Sequence, residues 1–386
     1  MIKYTQVSVT ISKFKFPIGA TSIHFESNQG QYYDLTSIPK NVKHIHFGCY
    51  FDQIIEKDIL PEGLISINFG NNFNQQIEKN TLPNGLISIN FGNSFNQQIG
   101  TYVLPTSIKS IIFGSNFNHK IEKYVLPIGL QSIIFGHMFN HKIEKYILPN
   151  KLQSIRFGGL FNQLIEKNIL PDGLKTIIFG NAFNHPIKKD VLPKGLESII
   201  FGYCFNQPIE ENVLPTKLQY IKFGAKFNQR IGENVLPTRL ESIKFGADFN
   251  QLIDENVLPT RVQFIKFSTK FNQKINLNVL PIGLESIKFG YRFNQPIEEN
   301  VLPTELQSII FQGSYHISYN AIISHKTRIY TRTISPNITR NYTIISKYEK
   351  TLGNLITKKK PKQNLSKIYI NTIGNKKYHM VDVEII

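Results

Sequence analysis

Tryptophan is absent from the 386 residues, and cysteine occurs only twice, at Cys49 and Cys204. Two thiols cannot build a disulfide framework, so packed apolar side chains and backbone hydrogen bonds must hold the fold. Acidic residues are scarce as well: 27 Asp and Glu stand against 44 Lys and Arg, a formal charge of +17. That balance points toward acidic proteins, nucleic acid or anionic surfaces, and it also favours solubility. No apolar run is long enough to cross a bilayer, and MIKYTQVSVTISKFKF at the N-terminus lacks the continuous apolar segment of a secretory signal. The expectation is an intracellular, cytoplasmic protein with no membrane partner and no disulfide-linked partner.

Catalytic signatures are missing too. There is no P-loop, no G-x-G-x-x-G after a strand, no G-x-S-x-G and no Cys/His ligand set. Acids such as Glu210, Glu211, Glu298 and Glu299 recur beside Asn on what reads as a solvated segment, an unsuitable setting for paired acid-base work. His119, His141 and His185 occupy a position that elsewhere holds Gln, and with Lys120 and Lys142 alongside they make a poor metal site. The reading is a protein that is not an enzyme and uses no cofactor or metal.

What the chain does have is a phrase. LPEGLISINFGNNFNQQI from Leu60 returns almost unchanged as LPNGLISINFGNSFNQQI from Leu82, and prolines stand every 22 residues from Pro17 to Pro303 without an insertion. Each unit reads P-x-x-L-x-S-I-x-F-G-x-x-F-N-Q-x-I-x-x-x-V/I-L, with twelve units from Pro39 to Leu302 and degenerate copies on either side. S-I-x-F alternates and Gly stops it, which predicts one short strand per unit rather than a helix. Proline cannot donate to a sheet ladder, so its place is expected on the far side of the coil. One such unit buries too few apolar groups to offset the entropy of ordering its backbone, and stacked neighbours supply what is missing. The fold class is therefore mainly β: a solenoid of stacked 22-residue coils with one parallel sheet.

An Asn column, Asn74 to Asn294, follows an apolar Phe in each coil, with Asp52 in its place at the first. An amide there can satisfy backbone groups of adjacent coils, so the column is expected to be a structural ladder. Cys49 and Cys204, seven coils apart, should be free thiols.

The words FGxxFNQxI and LPxxLxSI resemble the FNIP repeat, a 22-residue relative of the leucine-rich repeat found in social amoebae and in giant viruses that infect amoebae. The resemblance covers Pro17 to Phe311. It implies a leucine-rich-repeat-like solenoid used for protein recognition, in host cytoplasm if the source is viral. Some members carry an N-terminal F-box that couples the repeats to a ubiquitin ligase; the stretch before Pro17 is too short for one, so the expectation is an array without an F-box.

If Ile and Phe of S-I-x-F point inward, x points out and is free to vary. Along the array it reads as blocks: Ile112, Ile134, Arg156, Ile178 and Ile200, then Lys222, Lys244, Lys266 and Lys288. Four stacked lysines at strand spacing repel by about 0.9 kcal/mol per neighbouring pair even in water. Two outward Ser positions beside them become aromatic, Tyr220 and Phe264. These eleven residues are the candidate partner-binding set. An exposed apolar stripe marks an interface, and lysines among aromatics suit an acidic protein segment with apolar anchors. Single-stranded nucleic acid, held by stacking and charge, is the alternative. Other readings stand beside these: a solvated face that deters aggregation, and self-association into a structural assembly.

The chain is expected to divide into an N-terminal strand and capping coil at 1–38, the solenoid at 39–311, and a small basic C-terminal β segment at 312–386. That last part holds 13 Lys or Arg against three acids. Within it, TKKKPK from Thr357 resembles a nuclear-localisation or anion-binding cluster, and two alternating runs around Gly374-Asn375 predict a hairpin that could cap the array.

Overall fold

The computed structural model describes residues 6–9, 19–25, 32–313, 327–333 and 341–344, with the strands at 6–9, 328–333 and 341–344 described by their backbone. The basic cluster at Thr357–Lys362 and the hairpin around Gly374-Asn375 lie outside the described residues.

Among the described residues, seventeen strands form one sheet in chain order. They are β1 (Gln6–Val9), β2 (Ser22–Phe25), β3 (His44–His46), β4 (Ser66–Asn68), β5 (Ser88–Asn90), β6 (Ser110–Ile112), β7 (Ser132–Ile134), β8 (Ser154–Arg156) and β9 (Thr176–Ile178). There follow β10 (Ser198–Ile200), β11 (Tyr220–Lys222), β12 (Ser242–Lys244), β13 (Phe264–Lys266), β14 (Ser286–Phe289), β15 (Ser308–Phe311), β16 (Arg328–Thr333) and β17 (Asn341–Ile344). All neighbours are parallel except β16 and β17, which pair antiparallel. From β2 to β15 the register advances by 22 residues, so each repeat position becomes a column running across the sheet. The sheet also continues past residue 311, where β15 pairs with β16 at Ser308 and Arg328.

Three tight turns fold each unit into a coil. In the central coil Leu152 N–H donates to Pro149 O (3.0 Å), Phe161 N–H to Gly158 O (3.0 Å) and Ile169 N–H to Glu166 O (3.3 Å). Proline is thus not on the far side of the coil: it opens the corner that leads into the strand, where its carbonyl serves the turn and its missing N–H costs no ladder bond. The third turn needs a left-handed residue, at φ of 60–68° in every coil from Asp58 to Asn300. Nine of those twelve positions are Asn or Asp, the residues that enter this region most readily.

The core is two files of phenylalanine. Phe157 stacks on Phe161 within its coil at 4.2 Å between ring centroids, and each continues into the next coil, Phe157 to Phe179 at 5.7 Å and Phe161 to Phe183 at 6.3 Å. The same pattern runs from Phe47 to Phe311 with the inward isoleucines beside it, all buried. At the N-terminal end Tyr33 packs edge-on against Phe25 at 4.9 Å and closes the file.

Coils approach closely because of the glycine after each strand. A Cβ on Gly158 would overlap the carbonyl oxygen of Gly136, and the same holds along the column from Gly70 to Gly246, where glycine lets the coils stack at this distance; Ser268 takes its place in the following coil. The Asn column is the ladder expected of it: Asn162 N–H donates to Asn140 Oδ1 (2.9 Å), Asn184 N–H to Asn162 Oδ1 (3.0 Å), and so on through Asn294. Asp52 accepts the same bond from Asn74 N–H at 2.8 Å, since only an acceptor oxygen is required. Cys49 and Cys204 are not joined in a disulfide.

Candidate interaction surface

The alternation in S-I-x-F places the sequence-derived candidates together on the outward face. Ile133 is buried on one side of β7 while Ile134 emerges on the other, half-buried among its neighbours. Register pairs join the outward residues in one continuous file: Ile112 with Ile134, Ile134 with Arg156, Arg156 with Ile178, Ile178 with Ile200. Ile200 then pairs with Lys222, and the lysines follow through Lys244, Lys266 and Lys288. The apolar and basic blocks are therefore contiguous, meeting at β10 and β11.

Over the apolar block the surface is a groove of about 760 Å³. Its floor is the outward file from Asn90 to Lys222 and the glycine column, and its wall is the residue after each glycine, including Asn93, His137, Asn181 and Tyr203.

The basic block is not a plain row of ammonium groups. Lys244 Nζ lies 5.5 Å from the centroid of the Tyr220 ring, a cation-π contact across neighbouring strands, and Phe264 is 40 % exposed beside Lys266. A second cavity, of about 430 Å³, opens on the turn that follows the strands, lined by Lys226, Asp248, Lys270, Arg292 and amides of the Asn ladder. Asp248 pairs with Lys270 at 2.9 Å. Lys226 Nζ stands 5.8 Å from the ring centroid of Tyr203, which also walls the apolar groove, so this pair joins the two cavities. The turn-side cations were missed by sequence reasoning, since they occupy the unpatterned pair in G-x-x-F; a count of charge at those two positions would have found them.

The histidines outside the face have structural partners. His119 Nε2 donates to Asn96 O (2.9 Å) and His141 Nε2 to Asn118 O (2.9 Å), as Gln97 Nε2 does to Asn74 O (3.0 Å). Among the described residues no group of three His, Cys, Asp or Glu is placed to hold a metal. At the N-terminal end of the outward file His24 and His46 stack at 4.3 Å, and burial, with His24 adding repulsion, lowers the pKa of His46 below its ordinary value. On the return edge the acids form coil-to-coil ion pairs, Lys120 with Glu144 (3.0 Å) and Lys274 with Glu298 (2.7 Å), with their side chains mostly in solvent.

Known proteins share this architecture. The FNIP Repeat family model matches residues 28–72, 51–94, 73–116, 95–138, 139–182, 183–226, 227–270 and 271–314. The crystal structure of CroV588, a circular leucine-rich-repeat protein of a giant virus, is similar over 84 % of this chain at 42 % identity and a TM-score of 0.75. The chain spans about half the length of that protein, 48 %. The Drosophila Toll–Spatzle complex is similar over 79 % of this chain and 41 % of its own, with a TM-score of 0.50 at 13 % identity, a likeness of fold alone. No curated protein matches.

Proposed function

The chain belongs to the FNIP-repeat family, and from that premise we propose that it is a non-catalytic intracellular scaffold that recognises another protein on its outward strand face. The observation that carries this reading is the continuous file of outward residues: an apolar block under a groove of about 760 Å³, then a lysine block, on strands whose inward side never changes. A surface that served only solubility would mix charges coil by coil, and the return edge of this molecule does so with paired lysines and glutamates. An apolar strip of this kind, broken only by Arg156, is what protein interfaces bury at their centre.

The test is capture from a nuclease-treated cytosolic extract by the full chain and by an Ile134→Asp, Ile178→Asp variant. Both substitutions point outward and leave the phenylalanine core intact. The expected outcome is a discrete protein held by the parent and released by the variant. Material that both hold from an untreated extract and neither holds from the nuclease-treated one would make nucleic acid the ligand and end the reading.

A further inference from the structure

Resting on that reading of the strand face, we propose that the partner presents an extended segment in two parts, apolar side chains over Ile112 to Ile200 and a carboxylate-rich stretch over the lysines, and that Lys226, Lys270 and Arg292 share the carboxylates with the strand lysines.

The argument starts from where the cations stand. Lys222 to Lys288 form one file on the strands, and Lys226, Lys270 and Arg292 form a second on the following turn around their own cavity of about 430 Å³. The strand file has a lysine on each of four successive coils, and the turn file a cation on three of them, the fourth holding Asp248, which pairs with Lys270. Lys226 and Arg292 line that cavity with a single carboxylate, which is already paired with Lys270, so an anion entering it relieves like-charge repulsion. The turn-side cavity is also lined by Asn206, Asn228 and Asn250, whose amides offer polar partners to the same ligand.

Charge alone would suit a nucleic acid equally. Continuity with the apolar groove favours a protein segment. Tyr203 walls that groove and Lys226 lies over its ring, so a ligand seated among the cations runs directly into a strip of isoleucines. The outward floor of that groove is isoleucine rather than the aromatic rings on which bases stack, which suits a peptide that places apolar side chains in the groove and carboxylates beyond it. Strand spacing sets the length. Five strands from β6 to β10 span about 19 Å and four from β11 to β14 about 14 Å, which an extended chain at about 3.3 Å per residue covers with about six and about four residues.

The experiment uses the full chain and fluorescently labelled eleven-residue peptides: an apolar block joined to a glutamate block in either order, a shuffled peptide of the same composition, a glutamate-only peptide, and a single-stranded oligonucleotide of similar length. Anisotropy is read at low and at physiological salt. One block order should bind at least about tenfold more tightly than every other probe at physiological salt, and Lys226→Glu, Lys270→Glu, Arg292→Glu should remove that advantage. The Gln versions at the same three positions, checked for an unchanged melting temperature, should weaken it by a smaller factor. An oligonucleotide or shuffled peptide that binds as well as the block peptides overturns the proposal, as does a charge reversal without effect. If Ile134→Asp, Ile178→Asp releases a captured protein while the turn-side reversals do not, the strand-face reading stands and the two-part assignment falls.

Discussion

Ile133 and Ile134 are adjacent in the chain and differ in what they are allowed to become. The column of Ile133 is isoleucine in every coil from Ile23 to Ile309, whereas that of Ile134 passes through His, Asn, Ile, Arg and Lys. The two columns share a backbone, a register and a strand length, so the difference lies in the environment of the side chains alone. One is sealed between coils; the other faces the groove. A residue that touches its copies above and below cannot change by itself without losing packing on both sides, which makes the inward columns monotonous. The outward column escapes that constraint, and its blocked pattern requires a cause outside the core.

The strongest way to break this contrast is through a phenylalanine. Phe161 is fully buried and stacks on Phe157, Phe139 and Phe183. Phe161→Ala should therefore destabilise by about 3–5 kcal/mol, the usual range for emptying an aromatic site in a core. Ile178→Ser, on the outward face of its strand, should fall within about 0.5 kcal/mol of the parent. Urea unfolding of the two variants side by side checks the pair. Equal losses would show that the outward file is also part of the core.

This division was readable in the sequence because the physics that produces it is periodic. A two-residue alternation stopped by glycine, repeated every 22 residues, determines strand, register and facing together, and the eleven candidate residues fall on one face as the alternation requires. Three features were not readable. The groove depends on how closely glycine lets coils approach, a distance rather than a pattern. The reach of Lys244 over Tyr220 is a matter of side-chain conformation. The third turn's left-handed residue is concealed because Asn, Asp and Tyr share its column, and composition does not state the sign of a dihedral angle.

The Asn ladder offers a middle-sized test. Asn140 Oδ1 accepts from Asn162 N–H at 2.9 Å and from Gln163 Nε2 at 3.1 Å. Asn140→Ala leaves that solvent-exposed backbone N–H to water instead of its acceptor, and a loss of about 0.5–1.5 kcal/mol is expected. Asn140→Asp retains an acceptor oxygen, as Asp52 does one end of the array, and should lose much less. Thermal midpoints of the two variants give the comparison directly. Equal losses would mean that the amide's donor side, and not its oxygen, holds the ladder.

The smallest effect is expected where the chain departs from its own rule. Tyr102, Tyr124 and Tyr146 hold the left-handed position that Asn or Asp fills in the other nine coils, at φ of 60°, 68° and 67°. For a bulky side chain that conformation costs about 1–2 kcal/mol, and Asn tolerates it better. Tyr124 recovers part of the cost, because it stacks on Tyr102 at 6.1 Å and Lys123 Nζ lies 5.0 Å from its ring centroid. Exposed contacts of these kinds contribute about 0.5–1 kcal/mol each at most. Tyr124→Asn should accordingly stabilise the chain by no more than about 1 kcal/mol, read as a small rise in the urea midpoint. Tyr146, whose side chain is 80 % exposed, has more to gain from the same change. A fall in both midpoints would place these tyrosines among the side chains that hold coils together, and the turn column would then join the columns that cannot vary.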